Sequence, residues 1–156
     1  METLQDTSFH YTVAEIQLHY TPKVNPSSLP KITSSHDAYK LLNVIWDTNK
    51  INLLEEFKVL LLNRSNRVLG IINLSAGGID ATVVDLRLIF AAALKANASC
   101  IILAHNHPSG NLTESEKDRV ITASIVKAGE IMNITVLDHL IITNEGYLSF
   151  SDKGLL

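Results

Sequence analysis

Along the chain the spacing of apolar residues changes several times, and each change marks an element. Ala14, Ile16, Leu18 and Tyr20 alternate with Glu15, Gln17 and His19, a period of two that predicts a half-buried strand. His19 falls on its polar side and, like His10, reads as a solvated histidine. Thr21 to Pro30 carries three prolines and two serines and reads as a loop. Ser34 or Ser35 can cap a helix with Ala38, Leu41, Leu42 and Ile45 on one face and Trp46 closing it; His36 lies in its exposed first turn. Asp47 to Ile51 is a polar connection. Leu54 to Leu62 predicts a strand, Asn63 to Asn66 a turn, and Arg67 to Leu74 a returning strand. Gly77-Gly78 marks another turn. Asp85 can cap a helix with Leu86, Ile89, Phe90, Ala93 and Leu94 inside.

The run Cys100-Ile101-Ile102-Leu103-Ala104 is short, uncharged and β-branched, the pattern of a strand buried on both faces. Pro108, Ser109 and Gly110 then stop it. Thr113 and Glu116 form a capping-box pattern, so a helix should begin at Glu114, with Ile121, Ile125, Ala128 and Met132 on its inner stripe. Asn133 suits a left-handed terminator, while Gly129 leaves the helix end open. Ile134 to Thr143 predicts a strand, Asn144-Glu145-Gly146 a turn, and Tyr147 to Phe150 a short extended piece. Helices interleaved with strands and hairpins indicate an α/β fold, a mixed sheet flanked by helices.

Composition narrows the classes. With 156 residues, 46% of them hydrophobic, the chain has the length of one domain and enough apolar mass for a core. A formal charge of −3 gives no general pull towards nucleic acid or an anionic membrane. Lys50, Lys58, Arg64, Arg67 and Arg87 are scattered, as on a solvated surface. The single cysteine, Cys100, excludes an intrachain disulfide and reads as core filler in a reducing compartment. Met1 to His10 has no apolar signal core, and the longest apolar run, Ile89 to Leu94, is far short of the ~20 residues a membrane span needs. The expectation is a soluble, cytoplasmic protein.

The candidate chemistry sits just past the buried strand. His105 and His107 are two apart, so in extended chain both imidazoles project to one side. Ser115 and Asp118 are three apart and share a helix face. Two imidazoles and one carboxylate suit a divalent transition metal, zinc first. Three protein ligands leave a fourth position for water, the arrangement of a catalytic rather than a structural site. Ser115 could donate to a developing oxyanion or hold the water, since Thr113 occupies the predicted cap; its plain use is to satisfy a backbone group at the helix start.

His105-x-His107-Pro108-Ser109-Gly110 followed by Ser115-x-x-Asp118 resembles the signature of the JAMM (MPN+) zinc metalloproteases. With Asp138-His139 and a closing Ser149-Phe150, it resembles their RadC-like branch, from about Leu54 to the C-terminus. The resemblance implies an MPN, cytidine-deaminase-like, architecture. The length makes 1–156 a single domain with its motif-bearing core over 54–156, and residues 1–50, an N-terminal extension that the motif does not explain, are expected to add a strand and a helix or to serve an oligomer. It implies Zn2+ held by His105, His107 and Asp118, and hydrolysis of a peptide or isopeptide bond in a protein or peptide substrate. Glu114 stands where many such sequences have Pro, and either residue suits a first helical turn.

Such a hydrolase also needs a carboxylate beside the metal to move a proton. Glu55 and Glu56 open an apolar strand, and neighbours on a strand point to opposite sides, so only one can serve. The resemblance implies the glutamate two before the aromatic Phe57, which is Glu55, with Glu56 in reserve. Asp138 and His139 read as a buried, hydrogen-bonded polar pair, or as residues that support the metal ligands from behind. Two other classes stay open: a nucleic-acid or DNA-repair protein, disfavoured by the charge and by the lack of room for the helix-hairpin-helix region that the resemblance associates with longer RadC-like proteins, and a non-catalytic interaction module. A zinc deaminase, which needs Cys-x-x-Cys, is excluded by the lone cysteine.

Overall fold

The computed structural model describes residues 24–76 and 84–156. The predicted strand Ala14–Tyr20, the turn Gly77-Gly78, His10 and His19 lie outside these residues.

Among the described residues three α-helices and five strands follow one another as α1 (Ser35–Ile45), β1 (Glu56–Leu62), β2 (Val68–Ala76), α2 (Leu86–Lys95), β3 (Cys100–Asn106), α3 (Glu116–Met132), β4 (Thr135–Thr143) and β5 (Gly146–Ser149). The strands form one mixed sheet in the order β2-β1-β3-β4-β5. β1 runs antiparallel to both β2 and β3, β3 and β4 are parallel, and β5 returns antiparallel on β4. α3 is the crossover that lets two parallel strands neighbour each other. This is the mixed α/β sheet expected from the apolar pattern.

Period-two alternation divides the core between the sheet's faces. Phe57, Val59 and Leu61 of β1 and Ile101 and Leu103 of β3 pack with Ile89, Phe90 and Ala93 of α2 and Ile125 of α3. Leu60, Leu62, Ile102, Ala104, Leu140 and Ile142 face the other way, onto Ala38 and Leu42 of α1 and Trp46. β3 is central and covered on both sides, which explains its unbroken apolar run.

Two helix boundaries are set by details that periodicity does not carry. α1 is capped by Ser34, whose side chain accepts from Asp37 N. Ile45, expected inside, is exposed, and Trp46 fills the inner face just beyond the helix end. α3 begins at Glu116, two residues later than predicted. Its capping box is Ser115 with Asp118, not Thr113 with Glu116. The Thr113 amide is already taken by the Asn111 side chain at 2.9 Å, which leaves Ser115 to accept from the first turn.

The inner stripes of α2 and α3, like that of α1, stop short of the helix ends. Leu94 and Met132, expected inside, are exposed. On α3 the buried place near the end belongs to Gly129, where an added Cβ would stand 2.4 Å from the Ile134 carbonyl oxygen. Ile134 N donates to Gly129 O at 2.8 Å, with Asn133 left-handed at φ 54° between them. Gly129 therefore marks the place where the chain folds back onto its own helix.

Candidate metal centre

Three elements deliver the site. β3 carries His105 on the α2/α3 side of the sheet, opposite Phe57 of β1 in register. The chain then stays extended for one more residue: His107 N donates to Ile142 O at 3.0 Å, prolonging the pairing with β4. A turn follows, closed by Gly110 N to His107 O at 3.0 Å, with Gly110 at φ 78°. α3 starts beside this loop, and its capping box holds Asp118 towards β3.

The ligand atoms converge. His105 Nε2 and His107 Nε2 are 3.0 Å apart. Asp118 Oδ1 is 3.3 Å from His105 Nε2, and Asp118 Oδ2 is 3.7 Å from His107 Nε2. The three residues form a group whose candidate ligand atoms all lie within 4.8 Å of one another.

The surrounding hydrogen bonds fix which way each imidazole points. His107 Nδ1 donates to Asn111 O at 2.7 Å, leaving Nε2 with its lone pair turned inwards. His105 is oriented by a buried chain of hydrogen bonds. Thr122 Oγ1 donates its only proton to Asp118 O at 2.5 Å. It must therefore accept from His139 Nδ1–H at 2.6 Å. His139 Nε2 is then the acceptor for His105 Nδ1–H at 2.8 Å. His105 Nε2 is left as a lone pair facing His107 and Asp118.

Two imidazole lone pairs and an anionic oxygen thus face one another at close range, an arrangement that calls for a cation between them. The donor set, two neutral nitrogens and a carboxylate, could hold a divalent metal ion. Ligand histidines that donate their other N–H to a fixed acceptor are a recurring feature of such sites.

A proton competes with a cation for these imidazole nitrogens, and the ionisation tendencies describe that protonated alternative. Burial pushes the Asp118 carboxyl up, but hydrogen bonds from His105 and His107 outweigh it and hold the group far below the usual carboxylate range. The hydrogen bond to Asp118 raises His107 against its burial, and the nearby Glu55 charge adds to the rise. Complete burial drives His139 well below the usual histidine value, so it is the neutral ring that the chain of bonds requires.

Glu55 shares a cleft of about 490 Å3 with His105, His107, Ser115 and Asp118, walled by Phe57 and Ile121. Glu56 turns to the opposite face. It is buried, pairs with Lys58 Nζ at 3.3 Å, and does not line the cleft. Lys58 in turn lies over the Trp46 ring and donates to Asn73 at 2.9 Å. Ser115 Oγ donates to Asp118 Oδ2 at 2.7 Å and accepts from Asp118 N at 3.2 Å. It is the helix cap that the sequence assigned to Thr113, and it orients the ligand carboxylate at the same time.

The pair Asp138-His139 divides between the two faces. His139 backs His105, packed against Phe57 and Phe150. Asp138 points away from the cluster: its carboxylate accepts from His139 N at 2.7 Å, Ser149 Oγ at 2.6 Å and Ser151 N at 3.0 Å. Thr122 was not foreseen, although its place one turn after Asp118 puts it on the same helix face.

Comparison with known proteins agrees with the geometry. The description "RadC-like JAB domain" matches residues 32–155. Proteins named UPF0758 are similar: one from Flavobacterium johnsoniae is 50% identical over 129 residues, covering 81% of this chain and 54% of the relative. Another from Porphyromonas gingivalis is 44% identical over 127 residues, covering 80% and 54%, and one from Symbiobacterium thermophilum is 46% identical over 103 residues, covering 66% and 44%. The chain spans about half the length of these curated relatives. With most of its length matched and its His-His-Asp cluster assembled at the end of the central strand, the chain belongs to the RadC-like JAB domain family.

Proposed function

We propose that this protein is a zinc-dependent hydrolase of the JAMM type, cleaving an amide bond in a peptide or isopeptide substrate. The observation that carries the reading is the convergence of His105, His107 and Asp118 in one cleft with Glu55. His105, His107 and Asp118 would hold the zinc. When bound there, zinc supplies an acidified water and polarises a substrate carbonyl.

The chain's own residues do the rest. The Glu55 carboxylate takes a proton from the attacking water and passes it to the leaving amine nitrogen. Phe57 and Ile121 form apolar walls that limit water beside the reacting groups. Ser115 keeps Asp118 in place through its hydroxyl; donation to a substrate oxygen requires it to release that bond.

The test is hydrolysis of a mixed peptide library by the zinc-loaded protein, read by mass spectrometry, with Glu55→Gln beside wild type. The reading expects new peptide termini from wild type and a loss of about 10²–10⁴ in rate in E55Q with zinc retained. Equal cleavage by both proteins would remove Glu55 from the reaction. Cleavage by neither would set the peptide substrate class aside.

A further inference from the structure

We propose that Asn106, the residue between the two histidines, is a positioning residue that aims Glu55 at the metal centre; the inference rests on the hydrolase reading above. Asn106 belongs to β3, but its side chain leaves the face that carries His105 and is fully buried on the other side of the sheet. There it spends its hydrogen bonds on one short segment. Oδ1 accepts from Glu56 N at 2.7 Å, and Nδ2 donates to Ile51 O at 2.7 Å and to Leu54 O at 2.8 Å.

The choice of atoms matters. The Leu54 carbonyl belongs to the peptide unit before Glu55, and the Glu56 amide belongs to the peptide unit after it. Each peptide unit is rigid, and only φ and ψ of Glu55 lie between them. Pinning both units with one side-chain amide sets those two angles and hence the direction of the Glu55 Cβ. Glu55 itself stands one residue before β1, and the Asn106 side chain bonds the backbone on either side of it. The end of β3 and the residue after it thus carry two ligands, and the residue between them aims the proton carrier. Two donors and one acceptor, all used, also explain why the position calls for an amide: Asp lacks the donors, and Ser lacks the reach and the second donor.

The test uses cobalt(II) in place of zinc, so that the site has visible absorption bands. Wild type, Asn106→Ser, Glu55→Gln and the double variant are loaded with cobalt and titrated with pH. Amide hydrogen exchange over residues 51–56 is measured on the same samples. Asn106→Ser is expected to bind cobalt within about threefold of wild type, because no ligand is touched. Its residues 51–56 should exchange at least about tenfold faster. Its absorption midpoint should move in the direction that E55Q moves it, with no further shift in the double variant, the non-additivity expected of two residues acting as one. A wild-type midpoint in N106S, or a shift that adds in full to that of E55Q, overturns the inference alone. A wild-type chain that takes up no cobalt, or an E55Q midpoint equal to wild type, overturns the hydrolase reading and this inference with it. Should N106S fail to fold, Asn106→Thr, uncharged and closer in volume, carries the same comparison.

Discussion

A hydroxyl on α3 decides how the first histidine presents itself. Thr122 Oγ1 has one proton, and giving it to the Asp118 carbonyl obliges His139 to donate and His105 to follow. Thr122→Val keeps the shape and removes that end of the chain. His139 would then lose the acceptor that fixes its tautomer, and zinc affinity is expected to fall by about 10–100-fold, read by chelator competition, while Thr122→Ser stays near wild type. Equal affinity in T122V and wild type would contradict the tautomer argument. The two glutamates show how far single residues could be read in advance. That only one of Glu55 and Glu56 reaches the site follows from strand geometry; that the other is held by Lys58 over Trp46 does not, because it depends on which helix covers the far face. Thr122 and Asn106 were not visible for the same reason. Their partners lie on other elements, and spacing along the chain carries no information about strand neighbours.

Element boundaries carry two further expectations. At the end of α3, Gly129 lets the chain fold back within 2.4 Å of where a Cβ would be. The obstacle is backbone, so Gly129→Ala must displace Ile134 and the start of β4. A loss of about 1–3 kcal/mol is expected in urea unfolding, and a gain from added helix propensity would refute the close approach. At the β4–β5 edge, Asp138 ties β4 to Ser149 and Ser151. Burial pushes its carboxyl up, against the hydrogen bonds it accepts. The folded protein therefore holds that proton more tightly than the unfolded chain does. Its contribution to stability is fullest below the ordinary value of 3.8 and is lost as pH rises through the raised folded value. Asp138→Asn cannot titrate, so the difference in urea midpoint should shift in favour of D138N from about pH 4 to about pH 7. A pH-independent difference would contradict the assignment. The late start of α3 belongs here too. Thr113-x-x-Glu116 and Ser115-x-x-Asp118 overlap, and only the fold shows that Asn111 occupies the Thr113 amide and that Asp118 is the residue reaching back.

For the molecule as a whole, the layered sheet was readable because β3 announces burial on both faces and the helices announce one inner stripe each. The cluster was readable because its ligands come from one continuous stretch, strand, loop and helix, whose local geometry almost determines it. What the sheet adds is convergence from outside that stretch: β1 brings Glu55 beside it, and β4 brings His139 behind it. Among the described residues no helix is long and apolar enough to cross a membrane. The matched segments cover 54% of the relatives from Flavobacterium johnsoniae and Porphyromonas gingivalis, and the three residues of the candidate cation site all lie among the described residues.

The claim on which the account turns is that a single cation sits among His105, His107 and Asp118. Elemental analysis of protein purified without a metal-binding tag, then dialysed against zinc, measures it directly. About one zinc per chain is expected in wild type and in E55Q, and almost none in Asp118→Ala or His107→Ala. Wild-type protein that holds no zinc, or D118A that holds as much as wild type, would contradict it.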